Sequence, residues 1–263
     1  MAVGIDKTVK NHLGRHPNIL WRRYTSFLRA PFRSAQQRFQ KNLPIDLEND
    51  ESFEFSISAM QKQHFSENNW LYIENFAPHH LHKAIKENWP RSIWFDPLQI
   101  RNKTKTYDSG FPVKNPKLDQ FSVSNINLLQ IYRFLASEKL SKALTELCSD
   151  FIPRTCYWLL SNSSYWGSGL APHRDTPSTD SNGEDQRVNI IYFVHANGEG
   201  WDSGGTSILS DNTFKNPIFI PKNLSNSALI YRTGGSFFHG FPPMKFKKFR
   251  HAVTAHFQPI QTN

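Results

Sequence analysis

The C-terminal half of the chain is a succession of short β-type segments, and this pattern restricts the possible folds more than any other feature of the sequence. The segments are rich in aromatic and β-branched residues, and Gly, Asn, Asp, Ser or Pro separates each one from the next. They are Thr155–Asn162, Gly169–Asp175, Gln186–Val194, Gly205–Ser210, Ala228–Arg232, Ser236–His239 and Phe249–Phe257. Strands of this length and spacing predict a sandwich or jelly-roll barrel over residues 154–263.

The preceding residues, 42–153, predict a support of mixed structure. Trp70–Phe76 is typical of a strand, and helical periodicity covers 79–89 and 123–149. Between those helices, the segment 90–122 is rich in Pro, Lys, Asn and Asp, which predicts a long irregular loop that can carry substrate contacts. The predicted fold class is therefore mainly β with flanking helices (α+β).

The positive charge of the chain is concentrated in residues 1–41. This segment contains nine Lys or Arg and one acid, Asp6, and so carries +8 of the formal net charge of +9. A nucleic-acid-binding protein more often spreads such charge over its folded surface, which argues against nucleic acid as a partner. Leu20, Tyr24 and Phe27 recur at helical spacing beside arginines, which predicts a basic amphipathic helical arm. Three roles are open for this arm: packing on its own domain, contact with an anionic membrane or partner, and an organellar transit peptide.

Cysteine content and hydropathy indicate a cytoplasmic protein. Cys148 and Cys156 form neither a C-x-x-C pair nor a disulfide framework, so a reducing compartment fits best. No window of the sequence approaches the ~20 apolar residues of a membrane span, and the N-terminus lacks the compact apolar block of a secretion signal. We therefore expect a cytoplasmic location, with peripheral membrane contact if the basic arm provides it.

Three side chains of the β-rich region form a candidate metal site. His173 and Asp175 stand two residues apart at the end of a predicted strand, so both project on the same face. His239 ends another predicted strand, in the glycine-rich stretch GGSFFHG. Two imidazoles and one carboxylate on one face of an iron ion leave three positions open, as non-haem Fe(II) oxygenases require. Zinc held by the same residues is an open alternative and would indicate a hydrolase.

Arg250 begins the last predicted strand and is a candidate for binding an anionic ligand. In a barrel, the start of this strand can reach the cavity that holds the metal. The planar guanidinium matches a carboxylate, with which it forms two parallel hydrogen bonds. The alternative interpretation is a surface cation, since Lys245, Lys247 and Lys248 stand close by in the sequence.

Together these stretches resemble the 2-oxoglutarate- and Fe(II)-dependent oxygenases, particularly their prolyl 4-hydroxylase-like branch. The resemblance covers roughly residues 154–258 and is carried by YWGSGLAPHRD, RVNIIYFVHANGEGWDSGGTSIL and FFHGFPPMKFKKFRHAVTAHF. In the family, an aromatic strand precedes H-x-D, a strand ending near Trp leads to a Gly-Gly turn, and a distal His is followed at a short interval by Arg or Lys. Here those places are filled by Tyr165, by Trp201 with Gly204 and Gly205, by His239 and by Arg250.

The resemblance implies a double-stranded β-helix core (jelly-roll, cupin-like) that uses Fe(II), 2-oxoglutarate and O2. It implies that His173, Asp175 and His239 bind the iron and that Arg250 binds the distal carboxylate of 2-oxoglutarate. Two weaker candidates for binding that cosubstrate follow from the same comparison. They are Tyr165, through a hydrogen bond, and Thr254, since this chain has Ala252 where many relatives carry a second, serine contact.

Three further histidines are not expected to be metal ligands. His195 follows the predicted strand that ends at Val194 and is interpreted as an ordinary loop residue. His251 alternates away from Arg250, and His256 lies far along the same predicted strand.

The activity implied by the resemblance is hydroxylation of an unactivated C–H bond, coupled to decarboxylation of 2-oxoglutarate to succinate. Arg101, Lys103 and Lys105 in the predicted loop suit an anionic small molecule, free or linked to a lipid or sugar, although a protein side chain is also compatible. The alternative is a catalytically silent metal-binding barrel that serves as a membrane- or partner-binding scaffold.

Overall fold

The protein is described by a computed structural model over residues 56–87, 89, 109–112, 129–150, 152–175 and 187–260. The predictions made for the basic arm 1–41 and for most of the loop 90–122 lie outside the described residues. Within the described ranges, no helix combines the length and the apolar character needed to cross a membrane.

The described ranges contain four helices, ten strands and a short 3₁₀ turn at Gly200–Ser203. The helices are α1 (Ala59–Asn68), α2 (His79–Glu87), α3 (Leu129–Leu135) and α4 (Glu138–Cys148). The strands are β1 (Trp70–Glu74), β2 (Ser109–Pro112), β3 (Arg154–Tyr165), β4 (Leu170–His173), β5 (Val188–Ala196), β6 (Ser207–Leu209), β7 (Pro217–Phe219), β8 (Ser227–Arg232), β9 (Phe238–Phe241) and β10 (Phe249–Pro259).

The strands form two sheets, and each described pair of neighbouring strands is antiparallel. The large sheet has six strands in the order β1-β8-β5-β10-β3-β2, and the small sheet has four in the order β4-β9-β6-β7. Both sheets contribute to one buried cluster, in which Ile208 of the small sheet packs with Ile191 and Leu229 of the large sheet. The sheets therefore pack face to face, which confirms the predicted double-stranded β-helix core.

The opposite face of the large sheet is covered by helices. Alternate residues of β5, such as Ile190 and Tyr192, join a second cluster with Leu81 of α2 and Leu144 of α4. The large sheet is thus buried on both faces, and successive residues of its central strands belong to two different environments.

The helices refine the sequence analysis in two places. The described part of the helical pattern 123–149 forms two helices, because α3 ends at Leu135 and α4 begins at Glu138. Ser137 caps the second helix, and its hydroxyl accepts a hydrogen bond from the amide of Leu140. Helix α1 was not predicted, although Ser58 and Gln61 form a reciprocal capping box at its start, a signal readable in the sequence.

Two strands were also missed. The prediction of an irregular loop over 90–122 is wrong at Ser109–Pro112, which pairs with β3. The segment Pro217–Phe219 pairs with β6 at the edge of the small sheet. Neither segment alternates apolar and polar residues along enough of its length to signal a strand, so pairing with a neighbouring backbone decides the conformation.

Candidate metal centre

The two histidines of the predicted metal site lie opposite each other in the small sheet. His173 is the last residue of β4 and His239 lies in β9, and the two are direct cross-strand partners. Their ring centroids are 4.2 Å apart. The close approach of these strands needs Gly240, because a Cβ there would lie 2.5 Å from the carbonyl oxygen of Leu170.

Asp175 follows β4 and completes the group. Its Oδ1 lies 3.6 Å from Nε2 of His173 and 3.7 Å from Nε2 of His239. One ligand atom from each residue lies within 4.8 Å of the other two, so these side chains could hold a metal ion. Two imidazole nitrogens and one carboxylate oxygen form a donor set that suits non-haem iron.

The hydrogen bonds of His173 leave the correct nitrogen available for a metal. Its Nδ1 lies 2.9 Å from the carbonyl oxygen of Ala171, and because a carbonyl can only accept, Nδ1 carries the hydrogen and donates it. The lone pair of the neutral ring is therefore on Nε2, which faces Asp175. The side chain of His173 is 38% exposed and that of His239 only 4%, so the site opens to solvent on the His173 side.

The surroundings of Asp175 stabilise its charged form. Burial alone would raise the pKa of the carboxyl, but His239, a hydrogen bond from Tyr231 and then His173 outweigh that effect and lower the pKa below its ordinary value. Burial, followed by the negative charge of Asp175, raises the pKa of Tyr231 well above that of a free phenol. Tyr231 therefore stays protonated, and its hydroxyl donates a hydrogen bond to the carboxylate of Asp175.

Arg250 lies inside the barrel, not on the surface. The residue is 3% exposed, and its guanidinium donates hydrogen bonds to the carbonyl of Gly204, to Oγ1 of Thr206 at 3.0 Å and to Oδ1 of Asn162 at 3.3 Å. All three of these acceptors are neutral. The guanidinium also lies 4.4 Å from the ring centroid of Phe241, which shares a face of β9 with His239. The cation and the three candidate ligands thus belong to the same interior.

Of the two weaker candidates for binding 2-oxoglutarate, the structure describes the side chain of one, Thr254. Thr254 lies in β10 four residues beyond Arg250, on the same face of the strand by alternation. Tyr165 is the last residue of β3 and pairs with Phe249, but its side chain lies outside what the structure describes.

The three further histidines considered in the sequence analysis are not part of the group of converging ligands. His195 lies in strand β5, which corrects its interpretation as a loop residue. It is paired with His251, and a register shift between His251 and Ala252 marks a bulge there. His256 is the cross-strand partner of Asn189, and it therefore lies nearer the metal centre than its distance along β10 from Arg250 suggested.

Four polar residues at the site were missed from the sequence. Asn189 and Tyr231 contact Asp175, and Asn162 and Thr206 contact Arg250. Asn189 stands out as a polar residue within the apolar run VNIIYFV, so the pattern of β5 could have identified it. Tyr231 carried no such signal because it resembles its apolar neighbours in β8.

Comparison with solved structures finds this fold in several oxygenases. A prolyl-4-hydroxylase from Pseudomonas putida matches with a TM-score of 0.54 at 16% identity, over 77% of this chain and 99% of that chain. HygX from Streptomyces hygroscopicus, with nickel and 2-oxoglutarate bound, matches with a TM-score of 0.53 at 11% identity, over 78% of this chain and 88% of that chain. HygX has also been crystallised with hygromycin B in addition to nickel and 2-oxoglutarate.

A third similar structure is a prolyl hydroxylase from Trichoplax adhaerens in complex with a peptide fragment of hypoxia inducible factor. It matches with a TM-score of 0.52 at 16% identity, over 76% of this chain and 88% of that chain. No protein-family model and no curated protein matches the sequence. The comparisons confirm the predicted fold, that of the prolyl hydroxylases and related 2-oxoglutarate oxygenases.

Proposed function

We propose that this protein is a 2-oxoglutarate- and Fe(II)-dependent dioxygenase that hydroxylates an unactivated C–H bond. One observation carries the proposal: three converging ligands, His173, Asp175 and His239, share the interior of a double-stranded β-helix with the buried Arg250. The fold supports this proposal, because HygX, a protein of similar fold, has been crystallised with nickel and 2-oxoglutarate bound.

The residues of the chain have separate roles in this proposal. His173, Asp175 and His239 would hold the iron, and the guanidinium of Arg250 would receive the distal carboxylate of 2-oxoglutarate. With both bound, O2 would supply one oxygen atom to the hydroxyl group of the product and one to succinate, with release of CO2. Phe193, Phe241 and Ile208 line the interior and would keep water from the reacting groups.

Arg250 is suited to its role because its guanidinium is buried in the interior and held in a fixed direction. Its hydrogen bonds to Gly204, Thr206 and Asn162 set that direction. A carboxylate that enters the interior would therefore gain a charge-assisted contact in a region of low dielectric constant.

The proposed substrate is a small molecule, free or linked to a sugar or lipid. HygX has been crystallised with hygromycin B, an example of a small-molecule ligand in a protein of this fold. The exposed side of His173 gives such a molecule access to the metal.

Anaerobic titration of the full chain with Fe(II) and then 2-oxoglutarate tests the proposal. We expect the weak visible charge-transfer band of an iron–2-oxoglutarate chelate, followed by succinate formation when O2 is admitted. The matched control is His239→Ala, which should show neither. A wild-type protein that binds iron but develops no band and forms no succinate would contradict the proposal and favour the silent scaffold.

A further inference from the structure

The carboxylate of Asp175 is held by two donors on the side away from the histidines. Its Oδ2 accepts a hydrogen bond from Nδ2 of Asn189 at 2.7 Å and another from the hydroxyl of Tyr231 at 2.9 Å. Its Oδ1 is the oxygen that lies near Nε2 of both histidines. The two oxygens of one carboxylate therefore have different environments, one facing the metal site and one facing two buried donors.

The two donors are fixed by the large sheet. Asn189 of β5 and Tyr231 of β8 are direct cross-strand partners, and both residues are almost fully buried. Nδ2 of Asn189 also lies 3.4 Å from the hydroxyl of Tyr231, so the two side chains contact each other as well as Asp175. Asp175 itself follows β4 of the small sheet, so this contact joins the two sheets at the metal centre.

The orientation of the Asn189 amide indicates that it serves Asp175. The amide must present its nitrogen to the carboxylate, because an ionised carboxylate can only accept. In this orientation its Oδ1 is buried and has no hydrogen-bond partner among the residues that the structure describes. Leaving this acceptor buried without a hydrogen bond costs free energy. The hydrogen bond from Nδ2 to Asp175 offsets that cost, which is why the amide keeps this orientation.

We propose that Asn189 and Tyr231 are positioning residues that make Asp175 a ligand through Oδ1 alone. This inference rests on the proposed function, since it assumes that the three ligands bind a metal ion. With Oδ2 held by two donors, the carboxylate cannot turn to place both oxygens on the ion. One-oxygen ligation leaves three of six positions open, whereas two-oxygen ligation would leave two, too few for a bidentate cosubstrate together with O2.

Calorimetric titration of the metal-free full chain with Ni(II) tests this role without any turnover. The first variant is Tyr231→Phe, which removes one hydroxyl and keeps the ring against His239. The second is Asn189→Leu, which removes the nitrogen and the oxygen of the amide while keeping a side chain of similar size. Tyr192→Phe is the matched control, because its buried hydroxyl donates to Oδ1 of Asn226 instead of to a candidate ligand. We expect each site variant to bind Ni(II) about 10- to 100-fold more weakly, and the control to bind as the wild type does.

The visible spectrum of the Co(II)-loaded protein provides a second measurement that a purely structural role would not change. Rotation of Asp175 changes the number or type of oxygen ligands, so the ligand-field bands of Tyr231→Phe and Asn189→Leu should differ from those of the wild type and of Tyr192→Phe. Denaturant unfolding of the metal-free variants shows whether each one is folded. If one site variant does not fold, the other still gives the comparison.

The outcomes separate this inference from the proposed function. A wild-type chain that binds neither Ni(II) nor Co(II) at the three ligands contradicts the proposed function itself. A wild-type chain that binds metal, together with folded site variants whose affinity and Co(II) spectrum match it, overturns the positioning role and leaves the proposed function intact.

Discussion

Two groups of histidines in this protein have opposite environments. His173 and His239 lie in the small sheet and converge on the carboxylate of Asp175. His195 and His251 are paired on the large sheet, where Trp89 stacks on His251 at 5.1 Å and Oγ of Ser163 lies 3.0 Å from its Nδ1. Both groups pair two histidines across neighbouring strands, but only the first has a carboxylate among its described contacts.

The difference appears in their electrostatics. Burial, followed by the charge of His195, lowers the pKa of His251 to about 3, so this ring is neutral in the folded protein. Burial, followed by Lys86 and His82, also lowers the pKa of His195. Paired histidines next to cations remain neutral packing groups, whereas histidines next to an anion offer a cation-binding site. The carboxylate, not the histidine pair, distinguishes the two.

The most severe test of this comparison removes one histidine from each group. His239→Ala leaves two of the three ligands and should weaken Ni(II) binding by more than about 100-fold, a larger loss than is typical for residues that only support a ligand. His251→Ala should leave the affinity unchanged, although it creates a cavity and lowers stability. Calorimetry of both metal-free proteins measures the two effects. Equal weakening in both variants would show that the two groups do not differ as described.

Adjacent residues of β10 allow a sharper test, because Arg250 and His251 point to opposite faces of one strand. Arg250→Ala should raise the 2-oxoglutarate concentration needed for half-saturation at least about 30-fold, since truncation of a buried, hydrogen-bonded charge costs ~2–5 kcal/mol. Ni(II) affinity should change little. Titration of the charge-transfer band with 2-oxoglutarate measures the effect.

The control for Arg250→Ala is Lys247→Ala, which removes an exposed cation from the same stretch of sequence. This control should bind 2-oxoglutarate as the wild type does. An equal loss in the two variants would support the alternative interpretation of Arg250 as one of several interchangeable cations.

The smallest expected effect is a pH dependence of stability that arises from His251. The folded pKa of about 3 lies below the ordinary 6.5, so between these values the unfolded chain binds more protons than the folded protein. The contribution of His251 to stability is therefore present above pH 6.5 and is lost as the pH falls toward 3. Urea unfolding of the wild type and of His251→Gln, from pH 7.5 to 5, should show a shallower decline for the variant. Parallel declines would mean that His251 is not held neutral.

The sequence predicted the site better than it predicted its support. His173, Asp175, His239 and Arg250 were proposed from strand ends and spacing, and the structure brings the three ligands together beside an interior that contains Arg250. Asn189 and Tyr231 were missed, because their importance depends on a contact between the two sheets that no local pattern records. Ser137 is a typical N-cap residue and could have indicated the break between α3 and α4. The apolar periodicity continues on both sides of it, however, and suggests uninterrupted helix.

His195 shows where local reasoning reaches its limit. Strict alternation from Asn189 through Ile191 and Phe193 would place His195 on the interior face of β5. The register shift between β10 and β5 pairs Phe193 with Ala252 and His195 with His251, so one extra residue of β5 lies between these pairs. The bulge thereby turns His195 toward the face of His251, away from the metal centre.

The sequence by itself determined which residues can share a face of a strand, because side-chain alternation is a property of a few neighbouring residues. By this reasoning His173 was grouped with Asp175, although the structure places Asp175 just beyond β4, and Arg250 was grouped with Thr254 on one face of β10. Only the tertiary structure decided which faces meet. Pairing register, the bulge in β5 and the closure of one sheet over the other depend on contacts between residues far apart in the chain, and these contacts join Asp175 to His239, Asn189 and Tyr231.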